Sequence, residues 1–120
     1  MSTTNQKPKR GEIWKIDFDP TKGAEIQKQR PAVIISSDAV GKLPLKLVAP
    51  ITDWKTWYAN NIWHVHLLPT KENGLTKESA VDALQVRSVS IDRFLNFWGR
   101  VTESELEDIG QAIAAVIELR

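Results

Sequence analysis

The chain has 120 residues, 42% hydrophobic and 26% charged, with a formal net charge of +1 and no cysteine. That length suits one domain whose folding buries roughly 65% of the unfolded surface, and the absence of cysteine excludes disulfide frameworks, cysteine-ligated zinc, iron–sulfur clusters and thiol nucleophiles. No apolar run nears a membrane span and residues 1–10 hold no apolar leader, so a cytoplasmic protein without membrane contact is expected; residues 1–101 hold fifteen basic and ten acidic side chains, against one and five in 102–120.

Residues 1–9 read as a polar arm and 10–120 as the single domain. In Glu12–Phe18, Trp14, Ile16 and Phe18 share one face, the alternation of a half-buried strand. Asp19-Pro20-Thr21-Lys22-Gly23 is turn chemistry, and a long polar loop continues through Gln29. Pro31–Ser37 and Leu45–Thr52 flank a turn-like Asp38–Pro44 and predict a hairpin centred on Gly41. That register sets Val33 opposite Ala49, Ile35 opposite Leu47 and Arg30 opposite Thr52. Further strands are expected at Trp63–Leu68, Ser79–Ala83, Gln85–Ser90 and Asn96–Val101, with a turn at Lys71–Gly74. Thr102 and Glu105 form a capping box that starts a helix striped by Leu106, Ile109, Ile113, Val116 and Ile117. Short strands followed by one helix predict a mainly β fold, a small bent antiparallel sheet closing into a barrel with a C-terminal α-helix.

Four groups of residues bear on chemistry. His64 and His66 share a strand face, yet a third metal ligand is not apparent, and two ordinary sheet histidines are the preferred reading. No nucleophile elbow, phosphate loop or dinucleotide fingerprint occurs, so no cofactor is expected. Arg30-Pro31 is more informative: proline holds Arg30 extended beside the loop, where its guanidinium matches a phosphate while Thr52 donates to another oxygen. A structural ion pair of Arg30 with Glu25 is the competing expectation. Trp54-Lys55-Thr56-Trp57-Tyr58 interleaves rings with a cation, suited either to stacking on unpaired bases or to packing back on the barrel.

Taken together, Arg10-Gly11-Glu12-Ile13-Trp14, Asp17 through Glu25 (DFDPTKGAE), Lys28-Gln29-Arg30-Pro31-Ala32-Val33-Ile34-Ile35, Pro50-Ile51-Thr52 and Asp82 through Val89 (DALQVRSV) resemble the MazF/PemK toxins. The resemblance covers about Lys9 to the C-terminus. It implies an SH3-like barrel, a homodimer, and a metal-independent, sequence-selective endoribonuclease that cleaves single-stranded mRNA and is silenced by a cognate antitoxin protein. It places the essential arginine at Arg30 and the threonine at Thr52, with Glu25 as an acidic loop residue that assists catalysis and Gln85 and Arg87 at the RNA groove. Lys28, Trp54, Lys55 and Trp57 complete the expected RNA contacts. Ala24 and Ile26 depart from the Ser or His and the Gln of many members, and the catalytic Asp of some PemK-type members falls at Leu84. Arg30 and Thr52 remain the principal candidates. The products expected are a 2′,3′-cyclic phosphate and a 5′-hydroxyl. The alternative is a non-catalytic barrel that binds a protein, as in related gyrase-poison toxins, or RNA.

Overall fold

The computed structural model describes residues 7–119. Seven strands and one helix follow in order: β1 (Glu12–Asp17), β2 (Gln29–Ile34), β3 (Leu45–Asp53), β4 (His64–Leu67), β5 (Ser79–Asp82), β6 (Arg87–Ser90), β7 (Phe94–Arg100) and α1 (Glu103–Val116). Short 3₁₀ turns occupy Asp38–Val40, Thr56–Asn60, Ala83–Gln85 and Ile91–Arg93. All pairings are antiparallel, in the order β4-β5-β3-β2-β1-β7 with β6 also on β3. This is the barrel-like sheet with a C-terminal helix that the alternation implied. Residues 1–6 of the expected arm lie outside the described residues, while Pro8 is buried and the Lys9 amide donates to Glu12 Oε1 at 2.9 Å.

Both faces of the curled sheet carry apolar side chains, so there are two adjoining cores. Trp14, Ile16, Phe18, Ala32, Ile34, Val48 and Val89 fill the inside of the curl. Ile13, Val33, Ala49, Ile51, Val81 and Val101 fill the other face, where Leu106, Ile109 and Ile113 of α1 close over them. The helix starts as the sequence dictates: Thr102 Oγ1 accepts from the Glu105 amide at 3.0 Å and Glu105 Oε1 accepts from the Thr102 amide at 2.8 Å.

Strand β3 organises the site. Along one edge it pairs with β2 through Ala32–Pro50, Val33–Ala49 and Ile34–Val48, the register expected from a turn centred on Gly41. The ladder then stops at Pro31, which has no amide to donate toward Ile51. Past it, Arg30 stays paired with Ile16 of β1 on the opposite edge of β2, and Thr52 with Ala80 of β5 on the opposite edge of β3. The direct Arg30–Thr52 pair expected from sequence is replaced by a divergence of two strands. Along its other edge β3 meets β6 through Leu45–Val48 and β5 through Ile51–Asp53, and the Ala83–Gln85 turn bulges out between them.

Candidate active site

Where β2 and β3 part, a cleft of about 270 Å³ opens between Lys28–Pro31 on one wall and Ile51–Asp53 on the other. Arg30 and Thr52 both line it and both are half-buried. The Arg30 Nε donates to the Gln27 carbonyl at 3.3 Å. That bond fixes the root of the guanidinium and leaves its two terminal amino groups without a protein partner among the described residues. No ion pair joins Arg30 to Glu25 among the described residues, so the fork of donors is available for an anion. Asp53 and Lys77 face each other at 3.3 Å on the same cleft, and Trp98 supplies an aromatic wall.

Glu25 lies elsewhere. Its carboxylate accepts from the Lys22 amide at 2.6 Å, which closes the β1–β2 loop on itself. With Ile26, Leu84, Gln85 and Arg87 it lines a neighbouring groove of about 580 Å³. Gln85 ties that groove together: Oε1 accepts from the Ile26 amide at 2.6 Å and Nε2 donates to Asp82 Oδ2 at 3.2 Å. Arg87 donates to the Phe18 carbonyl at 3.4 Å, with its guanidinium carbon 5.5 Å from the Phe18 ring centroid. Lys28 lines the first cleft, in a left-handed conformation (φ 68°) that Asp19 Oδ1 braces by accepting its amide at 2.8 Å. Asp19 thus closes the loop, as the turn chemistry of Asp19–Gly23 implied.

The aromatic segment after β3 divides its rings between barrel and solvent. Trp54 stacks on His66, with centroids 3.9 Å apart and planes at 16°, and Tyr58 stacks on His64 at 3.7 Å and 10°. Trp57 projects outward, 66% exposed, and Lys55 is exposed beside it. The two histidines serve as stacking partners: Asn61 Nδ2 lies 3.1 Å from His64 Nδ1, and Glu78 Oε2 lies 2.5 Å from His66 Nε2. Burial holds the His64 imidazole below its ordinary value of 6.5, and the nearby Asp82 carboxylate opposes that shift. Among the described residues no group of three histidine, cysteine, aspartate or glutamate side chains is arranged to hold a metal.

Residues 9–117 match the profile of the PemK-like, MazF-like toxin of type II toxin-antitoxin systems. The chain belongs to this family. Endoribonuclease MazF9 of Mycobacterium tuberculosis is 34% identical over 92% of this chain and 97% of its own length. Endoribonuclease MazF of Staphylococcus epidermidis is 30% identical over 88% of this chain and 87% of its own. MazF from Deinococcus radiodurans superposes with a TM-score of 0.77 at 22% identity, covering 94% of this chain and 98% of that one. A mycobacterial endoribonuclease solved with its cognate antitoxin gives 0.74 at 17% identity, covering 95% and 98%.

Within this MazF/PemK chain the cleft brings Lys28, Arg30 and Thr52 together, and the groove collects Glu25, Gln85 and Arg87. Sequence reasoning missed Asp53, Lys77 and Trp98. The adjacency of Asp53 to Thr52 was a usable signal; Trp98 reaches the cleft only through the docking of β7, which no local pattern announces.

Proposed function

We propose that this chain is the toxin of a toxin-antitoxin pair and an endoribonuclease that cleaves single-stranded RNA at the Arg30–Thr52 cleft. The observation that carries the reading is that these two side chains line one cleft in a chain matching the toxin family over 9–117. The RNA's own 2′-hydroxyl attacks the adjacent phosphorus, the bond to the 5′-oxygen breaks, and that oxygen takes up a proton from solvent. The products are a 2′,3′-cyclic phosphate and a 5′-hydroxyl, and DNA is inert for want of the nucleophile. Because the nucleophile belongs to the substrate, the protein has to align it and stabilise charge on the phosphoryl oxygens, without a metal. Arg30 supplies a fork that stays charged, and the Thr52 hydroxyl donates to the same phosphoryl group. Asp53 is the carboxylate that lines this cleft and takes the 2′-hydroxyl proton; Glu25, across the loop, bears on the strand's path.

The same reading places the chain in the cytoplasm as a single domain over 10–120, acting as a homodimer and silenced by an antitoxin segment that covers Arg30 and the exposed Trp57. Sequence selectivity comes from the groove at Gln85 and Arg87. Incubation of the purified chain with mixed-sequence RNA in EDTA tests the activity. Cleavage with cyclic-phosphate ends is expected, and RNA left intact across a broad set of sequences points to the non-catalytic barrel instead.

A further inference from the structure

The far end of β3 from Thr52 borders a third cavity, about 600 Å³, lined by Lys7, Lys9, Lys42, Lys46, Asp38 and Ile91 among others. Lys46 is its unusual member. It stands on β3 opposite Val89 of β6, one step along the same face from Val48, at a position where alternation calls for another core residue. It is 7% exposed, and it makes no hydrogen bond or ion pair among the described residues. No buried side-chain nitrogen or oxygen among the described residues is sealed off without a partner, so the ammonium emerges into the cavity while its methylenes pack in the curl. Like charge crowds it: three further lysines line the wall against one carboxylate, Asp38, which accepts from the Arg10 amide at 2.9 Å.

We propose that this cavity is a phosphate-binding site separate from the catalytic cleft, taking a phosphate of an RNA strand or of a free phosphoryl ligand. The ammonium of Lys46 is held in place by its packed stem and donates charge-assisted hydrogen bonds to the phosphate oxygens; Lys9 and Lys42 add charge from the rim. Six residues of strand separate Lys46 from Thr52, roughly 20 Å, so only RNA extending well past the cleaved bond reaches both. The RNA source rests on the endoribonuclease reading, whereas the phosphate site itself does not.

The test uses the full chain and two substitutions, Lys46→Met, which keeps the stem, and Lys46→Arg, which keeps the charge. Inorganic phosphate is titrated while the Lys46 side-chain signals are followed by NMR. Affinities are measured for five- and twenty-nucleotide RNAs made uncleavable by 2′-O-methylation. Phosphate is expected to shift the Lys46 signals. The short RNA is expected to bind all three proteins equally, and the long one about 3- to 10-fold more weakly to Lys46→Met, with a salt slope lower by about 1 and recovery in Lys46→Arg. Phosphate shifts without a length effect support the site and assign it to a free phosphoryl ligand. Unmoved Lys46 signals together with equal long-RNA affinity in wild type and Lys46→Met overturn it. So does an equal loss of long-RNA affinity in both variants with unmoved signals, which reduces Lys46 to packing. If wild type leaves RNA uncut, the proposed function fails while the phosphate titration still stands.

Discussion

A guanidinium anchored at its root and a hydroxyl on the opposite wall act only on what fits between them, so single-atom changes there are informative. Arg30→Ala is expected to lower kcat by about 10²–10³ or more, with the thermal midpoint nearly unchanged, because the side chain holds a single protein hydrogen bond among the described residues, to the Gln27 carbonyl. Arg30→Lys is expected to recover little, since a point charge does not reproduce the bidentate fork. Thr52→Val preserves shape and removes the donor, and a loss of about 10²-fold is expected. Cleavage of a fluorogenic RNA beside a thermal melt checks all three. Placement of the carboxylates yields a second comparison. Asp53→Asn is expected to lower kcat by about 10²-fold or more, whereas Glu25→Gln alters KM more than kcat, because only Asp53 lines the Arg30 cleft. A kcat loss in Glu25→Gln as large as that in Asp53→Asn refutes the assignment of the proton-accepting role to Asp53 alone.

At the scale of elements, the segment 54–66 is held by two parallel ring stacks, and burial bears on the imidazole of one. Tyr58 covers His64, whose burial disfavours the imidazolium and lowers its folded-state value below 6.5. Above that value both folded and unfolded chains carry a neutral ring, and His64 adds nothing to pH dependence. Below it the unfolded chain takes up the proton first, so stability falls as pH drops toward the lowered value. His64→Gln is expected to shed part of the loss in thermal midpoint between pH 7.5 and 5.5; an unchanged pH profile refutes the assignment. A second element is fixed by the amide of Asn73, 1% exposed. Its Oδ1 accepts from the Thr70 and Leu75 amides at 3.0 and 2.9 Å, and its Nδ2 donates to the Leu68 carbonyl at 2.9 Å. Asn73→Ala leaves these groups unsatisfied and is expected to cost about 2–4 kcal/mol in denaturant melts. Next to it Gly74 (φ 70°) lies where a Cβ would meet the Trp98 carbonyl oxygen at 2.2 Å, so the turn seats the residue that walls the cleft.

For the whole molecule, local patterns made the elements legible and left their assembly less so. Alternation in Glu12–Phe18, the capping box at Thr102 and the Gly41-centred register all survive in the fold, because each depends on neighbours in sequence or on one hairpin. The same hairpin arithmetic brought Arg30 toward Thr52 and missed why a cleft lies there: Pro31 ends the ladder, and beyond it β2 follows β1 while β3 follows β5. Such a divergence depends on long-range partners that no periodicity reveals. Charge follows a comparable division. The acidic excess of residues 102–120 sits on α1, where Glu103, Glu107 and Asp108 are exposed, while the lining of the cleft and groove includes Lys28, Arg30, Lys77 and Arg87. A polyanion is therefore drawn to the cleft and groove and repelled by α1, although the whole carries +1. Neutralising α1 with Glu107→Gln and Asp108→Asn is expected to leave the salt dependence of RNA binding unchanged, whereas Arg87→Ala or Lys28→Ala lowers the slope of log affinity against log salt by about 1 each. Titrations of labelled RNA at several salt concentrations separate the two surfaces. An unaltered slope in both basic variants removes the groove and the Lys28 wall from the RNA path.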